Sequence, residues 1–193
     1  MPFWRNGALR GGYRLKTNPN KLDSNGDFRH NGRMSPVIRK AEAGDAPVIF
    51  SFIRELAEYE RLAHEVDATE TDIAQALFGA NPRVFADIAE WEGQPVGFAL
   101  WFYNFSTFRG RHGIYLEDLF VSPAFRSKGI GKALLRHLAR RCVDEGLPRL
   151  EWWVLDWNEP ALRVYRSIGA VPMEEWTVQR MTGDVLRQLA EEP

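Results

Sequence analysis

From Val37 onward the apolar positions change period several times, and each change marks an element. Val37-Ile38-Arg39 reads as a short strand. Asp45 then precedes Ala46-Pro47, the arrangement of an N-cap followed by an early proline, and Ile49, Phe52, Ile53 and Leu56 recur at helical spacing to about Arg61. Thr69 to Asp72 forms a capping box with Asp in place of Glu. Ile73, Ala76 and Leu77 continue that second helix until Gly79. Arg83–Trp91 and Val96–Phe105 read as strands joined by a hairpin turn at Glu92-Gly93-Gln94. The second of these is almost wholly apolar or aromatic, which predicts a central strand covered on both faces. Ile114–Val121 completes an antiparallel meander. Ile130, Ala133, Leu134, His137 and Leu138 then mark one face of a helix that ends near Gly146. A tryptophan-rich strand at Leu150–Leu155, a helix opened by Asn158-Glu159-Pro160 and stopped at Gly169, a last strand at Glu175–Met181 and a short terminal helix at Val185–Ala190 finish the chain.

The order is β-α-α-β-β-β-α-β-α-β. Antiparallel strands come first and a strand–helix–strand unit follows, which predicts an α/β domain (α+β, mixed sheet) over residues 34–193. Residues 1–33 carry no sustained apolar period and are rich in Gly, Asn and Arg, so a disordered basic extension is expected there. Met34 is the expected biological start.

Composition narrows the function. The chain has 193 residues with 45% hydrophobic content, enough for one ordinary core. Its net charge of -1 makes no case for a nucleic-acid partner. That near-neutral balance hides an asymmetry, because seven Lys/Arg and only two acids precede Met34 and the remainder is acidic. Cys142 is the single cysteine, which excludes an internal disulfide and suits a cytoplasmic location. It falls on the apolar face of its helix, so a core role is expected and a cysteine acyl carrier is disfavoured. No apolar run is long enough to cross a bilayer, so no membrane association is expected, and the four histidines lack metal-ligand spacing, so no metal is expected.

The most informative stretch is Arg126-Ser127-Lys128-Gly129-Ile130-Gly131, where a strand gives way to a helix. Three phosphate-binding designs compete for it. A P-loop requires glycine where Arg126 stands and Ser or Thr where Ala133 stands. A dinucleotide fingerprint requires glycine at Leu134, and its ribose-binding acid would be Glu151, which lies at the wrong end of its strand. The third design, Arg-x-x-Gly-x-Gly, fits. Successive backbone N–H groups at a helix start make an anion nest, and Arg126, Lys128 and Lys132 add positive potential. A plain helix-opening turn with solvated cations is the bland alternative.

That turn, the element order and the segment from Asn158-Glu159-Pro160-Ala161 to Tyr165 resemble the GNAT acetyltransferases. Within that family the chain is most similar to the spermidine/spermine (diamine) and thialysine acetyltransferase group, through Glu55-Leu56-Ala57-Glu58-Tyr59-Glu60, Tyr115-Leu116-Glu117-Asp118-Leu119-Phe120-Val121 and Trp157-Asn158-Glu159-Pro160. The resemblance implies acetyl-CoA as cosubstrate, with its pyrophosphate on the turn from Arg126 through Ser127, Lys128, Gly129, Ile130 and Gly131 to Lys132. It further implies coenzyme contacts from Leu119, Phe120, Val121, Asn158, Ala161 and Tyr165. A backbone N–H near Phe120-Val121 is the expected oxyanion donor.

Acetyl transfer to an amine needs the ammonium deprotonated, the oxyanion bonded and the departing thiolate protonated. By the resemblance, Glu117 is the base, acting through water, and Tyr165 is the acid. A phenol suits the second task because its pKa of about 10 keeps it protonated at neutral pH. Strict strand alternation sends Glu117 and Asp118 to opposite faces, which leaves Asp118 a structural part. Tyr59, Glu60 and Glu117 are the expected contacts of a small-molecule primary amine. The polyamine enzymes carry Asp-Pro-Trp where this chain has Ser106-Thr107-Phe108-Arg109, so a thialysine-like amino acid whose carboxylate meets Arg109 competes with a diamine or polyamine. Direct transfer in a ternary complex and a homodimer are expected. A protein N-acetyltransferase and a non-catalytic acyl-CoA-binding module stay open as alternatives on the same fold.

Overall fold

A computed structural model describes residues 29–30 and 33–192, in two compact units that divide between Trp152 and Trp153. In the first unit, strands β1 (Arg29–His30) and β2 (Arg33–Met34) form a small antiparallel pair. Apart from residues 29, 30 and 33, the expected basic extension lies outside the described residues.

The main sheet has five strands in the order β3 (Val37–Lys40), β4 (Phe85–Trp91), β5 (Gln94–Ser106), β6 (Arg111–Val121) and β7 (Leu150–Trp152). The first four are antiparallel neighbours, and β7 runs parallel to β6. The β4–β5 turn, Glu92-Gly93, has positive φ at both residues, the mirror-image turn that matches strand twist. Central β5 is buried continuously from Val96 to Trp101, as its unbroken apolar run predicts.

Helices α1 (Ala46–Glu60) and α2 (Glu70–Phe78) cover one face. There Ile49, Phe52 and Leu77 pack on Ile88, Phe98, Leu100 and Phe120. Helix α3 (Ile130–Asp144) covers the other, with Leu134, Leu135, Leu138 and Cys142 buried. The α3 face also holds a buried carboxylate. Asp87 accepts a bond from Trp101 Nε1 at 2.8 Å and lies 3.4 Å from His137 Nε2. Cys142 is a core residue, its S–H directed at the Arg149 carbonyl, and burial, with Glu145 adding, pushes its thiol pKa up.

The Thr69–Asp72 capping box forms as expected. Asp45 instead serves another purpose than capping α1. A short 3-10 turn at Ala43–Asp45 precedes the helix, and the Asp45 carboxylate accepts two bonds from Arg39, at 2.7 and 2.8 Å, and one from the Glu42 N–H. The Arg39 bonds hold its pKa below the ordinary aspartate value. Arg39 also bonds Glu90, so one guanidinium ties β3, β4 and the start of α1 together.

The second unit contains α4 (Glu159–Ser167) and α5 (Gly183–Glu191), the two helices expected there. The strand expected at Glu175–Met181 does not form; residues 175–181 are exposed and irregular. Among the described residues this unit holds no strand, and a strand without a ladder partner leaves its backbone groups to water.

Candidate active site

The expected carboxylates come from two elements. Glu60 ends α1, and Arg61 closes the helix in the left-handed region at φ 63°. Glu117 and Asp118 lie late in β6, where the ladder with β5 is irregular. Leu116 pairs with Trp101 and Asp118 with Leu100, so Glu117 is an inserted residue with nothing opposite it. The bulge overturns the strict alternation expected from sequence. Asp118, across from Leu100, shares the face covered by α1.

The consequence is electrostatic. Burial first, then the neighbouring charges of Glu117 and Glu60, pushes the Asp118 carboxyl up to about 7. Burial also raises Glu60. Three carboxylates thus converge at one place, and the pKa of one of them is raised to about 7. Strict alternation makes Asp118 a structural residue, and an inserted residue leaves no mark on a hydrophobic pattern.

Beyond the bulge, Leu119, Phe120 and Val121 pair with Ala99, Phe98 and Gly97. On the other edge of β6, β7 pairs only with Ile114 to Leu116. From Asp118 to Val121 the strand therefore has a ladder partner on one side alone among the described strands, which leaves backbone donors along the edge where the oxyanion is expected. Gly97 is required here by contact, since a Cβ on it would meet the Phe120 carbonyl oxygen at 2.5 Å.

After a 3-10 turn at Pro123–Phe125 the chain forms the glycine turn. Ser127 and Gly129 both adopt positive φ, 64° and 80°, which curls the backbone before α3 begins. The first bond inside α3 runs from the Ala133 N–H to the Gly129 carbonyl, so the N–H groups of Ile130, Gly131 and Lys132 have no acceptor within the helix. A Cβ on Gly129 would meet nothing within 4 Å, and one on Gly131 only Val121 Cγ2 at 3.9 Å. Open space over uncommitted donors fits an anion such as the coenzyme A pyrophosphate.

The cations of the turn are not equivalent. Lys128 Nζ lies over the rings of Trp91 and Phe125, 5.0 and 5.9 Å from their centroids, and Lys132 is exposed. Arg126 donates from Nε to the Val121 carbonyl at 3.0 Å, and its guanidinium covers the ring of Tyr59 at 4.7 Å.

In the second unit, Asn158 caps α4, its Oδ1 accepting from the Ala161 N–H at 3.4 Å. Tyr165 is half-buried in the last turn of that helix.

Residues 49–170 match the family model described as acetyltransferase (GNAT) family. The chain belongs to the GNAT acetyltransferases. This GNAT acetyltransferase is 38% identical over 165 residues to the thialysine N-epsilon-acetyltransferase of Bos taurus, covering 80% of this chain and 96% of that one. It is 30% identical over 216 aligned positions to the L-ornithine N5-acetyltransferase of Arabidopsis thaliana, covering 89% and 94% of the two chains. Among solved structures, an integron cassette protein from the mobile metagenome of V. cholerae superposes with a TM-score of 0.68 at 31% identity, covering 83% of this chain and all of that one. The family match spans both units, from α1 to just past α4.

Proposed function

We propose that this enzyme moves the acetyl group of acetyl-CoA directly to a primary amine of a small molecule, in a ternary complex. The observation that carries the proposal is the cluster of Glu60, Glu117 and Asp118, in which burial and the two neighbouring charges push the Asp118 carboxyl up to about 7. An alkylammonium, pKa about 10, must give up a proton before its nitrogen can attack. A carboxylate whose own pKa lies near the working pH is well matched to receive it, and Glu117 and Glu60 supply negative charge that holds the cation. Backbone N–H groups of the half-paired end of β6 bond the oxygen that gains charge. The Tyr165 hydroxyl returns a proton to the thiolate as it leaves, so one proton taken from the amine is balanced by one given to sulfur.

Relatives whose names specify thialysine and ornithine support an amino-acid-like amine. Arg109 lies in the β5–β6 hairpin turn, with the strand from Arg111 to Asp118, about 3.3 Å per residue, between that turn and the carboxylates, so it does not meet the α-carboxylate of a substrate whose amine lies at Asp118. The enzyme works as a homodimer in the cytoplasm. The second unit's exposed Val171, Met173, Trp176, Val185, Leu186 and Leu189 support the dimer, as surface that a partner copy would cover. No helix of the described residues is long and apolar enough to cross a membrane.

A thiol-release assay with acetyl-CoA, run over thialysine, ornithine, lysine, spermidine and a lysine peptide, tests the proposal. Amino acids with a side-chain amine should be turned over fastest, and Tyr165→Phe and Asp118→Asn should lose most of the rate. Spermidine turned over far better than the amino acids removes the amino-acid reading of the substrate. Coenzyme A binding without turnover of any amine removes the enzyme assignment.

A further inference from the structure

Arg126 belongs by sequence to the coenzyme turn, yet its guanidinium rests against the end of α1. Cζ is 4.7 Å from the centroid of Tyr59, in the last turn of α1, and 5.9 Å from that of Phe120. Nε donates to the Val121 carbonyl at the end of β6. One side chain therefore joins the end of α1, which carries Tyr59 and Glu60, to the end of β6 and to the first residue of the anion-binding turn. A residue supplying only positive potential has no need of these contacts, and Lys128, two residues on, packs against different rings, Trp91 and Phe125. The stack and the bond together fix a long side chain that would otherwise sample many rotamers. Among the described residues no acceptor engages the two terminal guanidinium nitrogens, so the fixed group keeps donors for an anion.

We propose that Arg126 is a positioning residue that couples the two substrate sites, with Tyr59 setting its orientation and hence the affinity for coenzyme A. This rests on the acetyltransferase reading of the site. Coupling between sites is reciprocal, so a bound coenzyme that engages Arg126 alters the support under Tyr59 and with it the affinity for the amine. The planar guanidinium is needed, because an ammonium cannot both stack on a ring and bond a carbonyl along its edge.

Calorimetric titration with coenzyme A alone, in the absence of any amine, tests the coupling. Four variants are compared with wild type: Tyr59→Phe, Tyr59→Leu, Arg126→Gln and the Tyr59→Leu/Arg126→Gln pair, each checked for folding by circular dichroism. Tyr59→Phe keeps the ring and should hold the Kd within about twofold, whereas Tyr59→Leu should weaken it about fivefold, the scale of one cation–π contact. In the Arg126→Gln background the same Tyr59→Leu change should add less than about twofold, because the partner is already gone. An unchanged Kd for Tyr59→Leu, or an equal loss with and without Arg126, overturns the coupling. Wild type that binds coenzyme A but acetylates nothing overturns the enzyme reading while the coupling is still measured; wild type that fails to bind coenzyme A overturns both.

Discussion

Asp118 stands opposite Leu100 in the β5–β6 ladder, although Leu116, only two residues earlier, stands opposite Trp101. The extra residue, Glu117, brings two carboxylates to one place without disturbing the apolar contacts before and after it. Glu60 adds a third from α1. Like charges in a partly dry setting resist being ionised together, and Asp118 is the one that holds a proton to higher pH.

The rate should report this proton. With a saturating coenzyme, kcat/KM for the amine is expected to rise through a limb near pH 7, where Asp118 ionises. Asp118→Asn should abolish the limb and lower kcat/KM about 100-fold, within the ordinary range for a lost general base. Glu117→Gln removes a charge that raises Asp118, so the limb should move to lower pH. A limb that stays in place in Asp118→Asn assigns it to another group.

Stability should respond in the opposite sense to activity. The folded-state pKa of Asp118 is raised, so the folded protein holds a proton that the unfolded chain releases from about pH 4 upward. Stability therefore falls as pH climbs from about 4 to 7, and the loss is complete above 7. Asp118→Asn should be more stable than wild type at pH 8 by about 2–4 kcal/mol and nearly equal to it at pH 4. Urea midpoints at the two pH values read this directly.

Gly97→Ala probes the contact between β5 and the half-paired end of β6. The new methyl carbon would lie 2.5 Å from the Phe120 carbonyl oxygen, a distance that backbone must relieve. A cost of about 1–3 kcal/mol is expected from overpacking, with loss of activity from displacement of the Phe120-Val121 backbone. Thermal denaturation and the thiol-release assay should show both losses together.

The Arg39–Asp45 pair sits away from the chemistry and should behave as a structural tie. Its stabilisation is present above the unfolded carboxylate pKa, about 4, and disappears as pH falls through the lower folded value. Arg39→Ala should cost about 1–3 kcal/mol at pH 7 and much less in acid, because a buried acceptor then loses its charged donor. Unfolding curves of the variant and wild type should converge toward low pH.

Most elements are legible in the sequence because each carries its own period and its own punctuation. The Thr69–Asp72 box, the Glu92-Gly93 turn and the Asn158 cap are local devices, and each forms where the residues imply it. The unbroken apolar run of β5 likewise marks a strand covered on both faces. What escapes notice is set by pairing between distant residues. The bulge at Glu117 depends on the register against β5, so alternation wrongly separates Glu117 from Asp118. Asp45 looks like a cap until Arg39, on a separate strand, claims its carboxylate. Trp176 and Val178 alternate with Thr177 and Gln179 like a strand, yet alternation describes a face and supplies no neighbour to bond.

The bulge at Glu117 also makes the second carboxylate separable from the fold. Loss of that one codon would leave Leu116 opposite Trp101 and Asp118 opposite Leu100, now as consecutive residues of a regular ladder. Insertion or deletion at this position can thus add or remove a charge beside the proton-exchanging acid while every apolar side chain keeps its face. The charge beside Asp118 is thereby set by the length of a strand, with no substitution in the core.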